Sequence, residues 1–111
     1  SGCVHGCAAA DQHEILLFYE DISRCNALEK LIGAMVKRGM GPEGKMIIFS
    51  GRLVADMVSI AATSGMRFLA APSATTAPAV DLADQKGITL LAFVRGGIIN
   101  VYTHPENITV A

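Results

Sequence analysis

Three short aliphatic runs, residues 45–49, 67–71 and 88–94, are separated by stretches whose apolar residues recur with helical spacing. This alternation is what most restricts the folds open to the chain. Each run is continuous rather than alternating, as expected of strands buried on both faces. Between the first two, Leu53, Val54, Met57, Val58, Ala61 and Ala62 form an i, i+1, i+4, i+5 stripe that ends at Gly65. Between the second and third, Thr76 is a good N-cap and Pro78 suits a first helical turn. Val80, Leu82 and Ala83 then face inward, and Gly87 ends the helix. Strand–helix–strand–helix–strand with short links implies right-handed crossovers and a parallel sheet core.

The segments on either side extend this core. Residues 4–10 and 14–19 read as a hairpin around Asp11-Gln12-His13. A helix follows, with Ala27, Leu28, Leu31, Ile32, Met35 and Val36 on its buried side, Asp21 or Ser23 as cap and Gly39 as stop. Past the third run, Arg95-Gly96-Gly97 is a turn and residues 98–102 a last strand. The expected fold is α/β: a three-layer α/β/α sandwich with a mixed, mostly parallel sheet and helices on both faces. At 111 residues, one domain spans the whole chain, residues 1–111. The chain is 51% hydrophobic but only 5% aromatic, consistent with an aliphatic sheet core.

Composition also limits function. The net charge is −1, so nothing global favours nucleic acid or an acidic membrane. No apolar run nears the roughly 20 residues that span a bilayer, and no segment has signal-peptide architecture. Three cysteines, Cys3, Cys7 and Cys25, have no disulfide-framework spacing, which together with the missing signal makes the cytoplasm the expected compartment. The opening Ser1-Gly2-Cys3, without an initiator Met, reads as a domain of something longer.

Ligands of open α/β sheets bind beyond the carboxyl ends of the strands. Those ends carry Ser50-Gly51-Arg52, Pro72-Ser73-Ala74-Thr75 and Arg95-Gly96-Gly97. Gly51 permits close backbone approach, the following helix start offers N–H groups and Arg52 adds a forked cation. Ser73 and Thr75 add hydroxyls, completing a cradle for phosphate or pyrophosphate; small residues that merely close tight turns are the alternative. A second polar run lies at Glu20 to Asn26, where Arg24 and Asn26 can read carbonyl or phosphate oxygens and Asp21 can orient Arg24. A capped, solvated helix start is the plainer account of that run. Cys3, His5 and Cys7 alternate along one strand face, but the zinc pattern lacks a matching downstream pair. The zinc deaminase signature is absent as well. Cys25, beside Arg24 in a first helical turn, is the better thiolate candidate. The phosphate-loop and serine-hydrolase motifs do not occur.

Several segments follow one another in a recognisable order. They are Gly2-Cys3-Val4-His5, the run from Glu20 through Arg24-Cys25-Asn26 to Gly33, Ser50-Gly51-Arg52, Ala70-Ala71-Pro72-Ser73-Ala74, and Gly87 through Arg95-Gly96-Gly97 to Thr103. In these the chain resembles, over essentially its whole length, the C-terminal domain of the FdhD/NarQ family, the formate dehydrogenase accessory sulfurtransferases.

The resemblance implies a cytidine-deaminase-like three-layer fold without the deaminase metal site. It implies transfer of sulfur from a cysteine desulfurase to the bis(guanine dinucleotide) molybdenum cofactor required by formate dehydrogenase. It further implies a homodimer that holds the cofactor's guanine nucleotide portions in this domain, with GDP-like nucleotides as mimics. Phe93, Val94, Arg95, Gly96, Gly97 and Ile98 carry over as the nucleotide contact. With the strand-end argument, the expected cofactor-binding set adds His5, Arg24, Asn26, Ser50, Gly51, Arg52 and Ser73. No catalytic residue and no metal ligand is assigned.

Three positions depart from the family pattern. Cys3 stands for a usual glycine, Cys25 for a histidine and Ile98 for a common arginine. The family's sulfur-carrying cysteine pair lies N-terminal to the matched stretch, and none of the three cysteines corresponds to it. The chain is therefore expected to bind the cofactor without itself transferring sulfur. The other readings are a structural or partner-docking domain that has lost the ligand, and a thiol or metal protein using Cys3, His5, Cys7 and Cys25.

Overall fold

The first hairpin sets the register from which the sheet is built. In a computed structural model that describes residues 4–72, 75–94 and 96–108, strand β1 (His5–Ala10) pairs antiparallel with β2 (Ile15–Asp21). Their turn is tied by Asp11, whose carboxylate accepts from the N–H groups of His13 at 2.8 Å and Glu14 at 2.9 Å. These two backbone bonds, His13's first, hold the Asp11 carboxyl below its usual range.

Helix α1 (Arg24–Lys37) starts at Ser23, whose hydroxyl accepts from the Asn26 N–H, and buries Ala27, Leu28, Leu31 and Met35. Strand β3 (Met46–Phe49), helix α2 (Ala55–Thr63), strand β4 (Phe68–Ala71), helix α3 (Ala77–Lys86) and strand β5 (Thr89–Val94) follow in the expected alternation. Thr76 caps α3 by accepting from Ala79 N–H, and Gly87 ends it in the left-handed conformation. Strand β6 (Ile98–Val101) and a single 3-10 turn, Pro105–Asn107, complete the described chain. That turn has no counterpart among the elements expected from the sequence.

The α/β class and the mixed sheet are as expected. The six strands run in the order β2-β1-β3-β4-β5-β6. Strands β2, β3, β4 and β5 run in one direction and β1 and β6 in the other, with β3–β4 and β4–β5 the parallel neighbour pairs. One detail differs: among the described residues, helices do not lie on both faces. The crossovers from β2 to β3, β3 to β4 and β4 to β5 all advance across the sheet in one direction. Right-handed connections of one direction place their helices on one face. Accordingly α1 packs on α2 and α2 on α3. One continuous core joins Leu28, Leu31, Met57, Val58 and Ala83 to Cys7, Phe49, Leu69 and Leu90 of the sheet.

The opposite sheet face follows from the pleat. Ala8 faces Phe18 and Ile48, Ala70 faces Leu91, and Leu91 faces Val101 across their strand pairs. This second face is apolar too, yet no described helix covers it. Leu53, expected to begin the second helix, instead bridges to Thr75 ahead of it, and α2 starts at Ala55. That bridge joins two turns at the carboxyl ends of β3 and β4.

Candidate functional site

The expected site residues converge on one rim. β1 runs antiparallel to β3, so its start at His5 lies beside the end of β3; His5 also pairs with Asp21 at the end of β2. Ser50, Gly51 and Arg52 follow β3, and Gly96 and Gly97 follow β5. Arg24 and Asn26 open α1 immediately after β2. Arg95, Ser73 and Cys3 lie outside the described residues, and so does the side chain of Val94.

Backbone and side-chain bonds fix the middle of the rim. The Ser50 N–H donates to the Gly6 carbonyl at 2.9 Å, and the Gly6 N–H donates to the Ser50 hydroxyl at 2.8 Å. The His5 ring stacks on Phe49, with centroids 5.7 Å apart and planes 17° from parallel. A Cβ on Gly51 would stand 3.4 Å from the Phe49 ring and 3.8 Å from His5 Nδ1. The half-buried Gly51 thus lies against the Phe49 ring and beside His5. Gly96 and Gly97 have φ of 82° and 78° in the β5–β6 turn, a conformation that a side chain would strain. Arg52, Arg24 and Asn26 are exposed. Among the described residues, neither arginine forms a salt bridge.

Some expected roles are filled differently. Asp21 does not orient Arg24: its carboxylate lies 2.8 Å from Lys30 Nζ and accepts from the Ser23 N–H at 3.0 Å. The Lys30 contact, then the Ser23 bond, holds the Asp21 carboxyl below its ordinary value. Thr75 donates to the Leu53 carbonyl at 3.3 Å, so its hydroxyl links two turns instead of pointing free to a ligand. Phe93 is half-buried opposite Ile99 and, by strand alternation, shares the uncovered sheet face with Leu91. Ile98 is 59% exposed at the start of β6.

One thiol departs from expectation. Cys25 sits in the first turn of α1 beside Arg24, as expected, but its thiol is pushed up, not down. Partial burial and the Asp56 and Glu29 carboxylates outweigh Arg24. Cys7 is fully buried on the helix-covered face, and desolvation pushes its thiol up to about 12. Among the described residues, no three His, Cys, Asp or Glu side chains gather as metal ligands.

A groove of about 570 Å³ lies elsewhere, on the uncovered face at the opposite end of the strands. Met46, Phe68, Leu91, Ile99, Val101 and Ile108 line it. Its size suits a ligand, but its apolar walls do not suit phosphates, for which the exposed arginines and turn amides of the rim are better donors. Sequence reasoning missed the groove because its residues come from several strands, β3 to β6 among them, and from the segment after the 3-10 turn, each unremarkable alone.

Comparisons with known proteins accord with this architecture. A family model described as the FdhD/NarQ family matches residues 1–109. The chain is 43% identical over 108 residues to the sulfur carrier protein FdhD of Bacillus subtilis, covering 97% of itself and 41% of that protein. It is 43% identical over 109 residues to the protein of that name from Bordetella parapertussis, covering 97% and 40%. The chain thus spans about two-fifths of the length of these curated relatives. Among solved structures, a formate dehydrogenase accessory protein from Desulfotalea psychrophila superposes with a TM-score of 0.86 at 31% identity, over 98% of this chain and 49% of that one. A bifunctional pyrimidine deaminase/uracil reductase from Thermotoga maritima superposes with a TM-score of 0.60 at 15% identity, over 78% of this chain and 28% of that one. That second likeness shows a shared fold alone. No described helix is long and apolar enough to cross a membrane. With the family model matched along nearly its whole length, the chain belongs to the FdhD/NarQ family.

Proposed function

We propose that this chain forms the nucleotide-holding part of an FdhD-type sulfur carrier. In this reading it binds the guanine nucleotide portions of the bis(guanine dinucleotide) molybdenum cofactor, as cargo, along the rim. The observation that carries the proposal is the convergence of the Ser50-Gly51-Arg52 and Gly96-Gly97 turns with His5 and the start of α1 at one end of the sheet. Phosphate oxygens need N–H donors that can be approached closely and unpaired guanidinium groups. Gly51, without a side chain and only half-buried, supports the first need, and the exposed Arg52 and Arg24 support the second.

The two described thiols, Cys7 and Cys25, support binding rather than sulfur carriage. A persulfide carrier must present an accessible thiolate. Cys7 is buried with its thiol near 12, and Cys25 is raised by its acidic neighbours. The same reading brings a cysteine desulfurase as sulfur donor, formate dehydrogenase as recipient, a second copy of the chain in a homodimer and the cytoplasm as compartment. A docking role is a second reading, favoured by the uncovered sheet face, where Phe18 is 56%, Ile99 51% and Val101 40% exposed.

Titration calorimetry with GDP tests the proposal. The chain is expected to bind GDP, and Arg52→Ala to weaken binding about 10- to 100-fold, the equivalent of one charge-assisted contact of ~1.5–3 kcal/mol. No heat and no competition at millimolar GDP would refute it.

A further inference from the structure

We propose that His104 is a pH-sensitive latch, closed when its ring is protonated, that fastens residues 103–108 against the C-terminal end of α3 and so sets one wall of the groove. The proposal rests on what its two ring nitrogens face. Nδ1 lies 2.6 Å from Glu106 Oε2, and Nε2 lies 2.7 Å from the Asp84 carbonyl oxygen. Both partners are acceptors when Glu106 is ionised, and the contact with His104 holds the Glu106 carboxyl below its usual range. A neutral imidazole has one N–H and satisfies only one of them; the imidazolium satisfies both.

The backbone at His104 gives this choice consequences. It is the only described non-glycine residue at positive φ, 45°, in the left-handed region. Thr89 Oγ1 donates to its carbonyl at 2.7 Å, and Asn107 Nδ2 donates to the Gly87 carbonyl at 3.1 Å. The ring bonds thus add to a set that holds a turned segment to the α3–β5 corner. Asn107 and Ile108, at the end of that segment, line the groove. The charged groups facing the ring are Asp84 of α3, whose carboxylate is 3.4 Å from Nε2, and Glu106 of the 3-10 turn. The contribution from β5 is the uncharged Thr89 hydroxyl.

The direction of the effect follows from these contacts. The Asp84 carbonyl, then Glu106, raises the His104 pKa above 6.5. Stabilisation from the latch is fully present below the unfolded value near 6.5 and is lost as pH rises through the higher folded value. On deprotonation, the ring leaves a lone pair facing either the Glu106 carboxylate or the Asp84 carbonyl, and that tie opens.

The test is a pH titration of the whole chain by NMR, reading the His104 ring and the amide exchange of Asn107 and Ile108 after correction for intrinsic exchange. The His104 midpoint should exceed 6.5. Protection of the two amides should fall as pH rises, by up to about tenfold for each unit separating folded and free values. Glu106→Gln should lower the midpoint. His104→Asn, which tolerates the left-handed backbone, should keep the fold and remove the pH dependence. A midpoint at or below 6.5, or the same pH dependence of the two amides in His104→Asn, would overturn the proposal. Loss of GDP binding at the rim would leave these readouts unchanged.

Discussion

Replacing Thr103 by valine should destabilise the chain far more than one hydroxyl on a loop suggests. Thr103 is 5% exposed. Its oxygen accepts from the Leu90 N–H at 2.9 Å and donates to the Ile88 carbonyl at 2.7 Å. It thus stands where a strand neighbour would bond the first residues of β5. Valine keeps the shape and removes both bonds, leaving a buried donor and a buried acceptor. Each such orphan costs about 1–3 kcal/mol, so Thr103→Val should cost roughly 2–6 kcal/mol. With a urea slope of about 2 kcal/mol per M, the midpoint should fall by ~1–3 M at unchanged slope. Thr103→Ser keeps the hydroxyl and loses one methyl, for about 0.8 kcal/mol. If valine lies within ~0.5 kcal/mol of the parent, or serine is as costly as valine, the bonding argument is wrong.

Two further outcomes are expected. Ser23→Ala, which removes the acceptor for the Asn26 N–H, should lower stability by about 1 kcal/mol in the same urea assay; no change would mean that the cap is made otherwise. In thiol labelling followed by peptide mapping, Cys7 should react only on unfolding, and Cys25 more slowly at neutral pH than a free cysteine, with its rate still climbing above pH 9. A Cys25 that labels faster than free cysteine would contradict the placement of Asp56 and Glu29 beside it.

The strand and helix alternation was legible because continuous aliphatic runs and helical stripes are local signals. Ser23, Thr76 and Gly87 marked helix ends for the same reason. The layers were less legible. Apolar residues on both strand faces suggested helices on both sides, but crossover direction decides the matter, and it depends on strand order, which the pattern does not encode. Leu53 fitted the helical stripe yet bridges to Thr75, because a tertiary pairing outweighed local periodicity. At the site, the rim positions of Gly51, Arg52 and Gly96 followed from strand ends alone. The raised Cys25 thiol did not, since Asp56 approaches it from another helix. The partners of His104, 20 residues away at Asp84 and on the other side of Pro105 at Glu106, were likewise beyond a linear reading.

In the proposed function, guanine nucleotide is held at the rim formed by the ends of β3 and β5. Mapping amide shifts of the isotopically labelled chain during titration with GDP tests it most directly. Saturable shifts are expected at Gly6, Ser50, Gly51, Arg52, Gly96 and Gly97, with Phe68, Ile99 and Ile108 unmoved. Shifts confined to those three groove residues, or none at millimolar GDP, would contradict it.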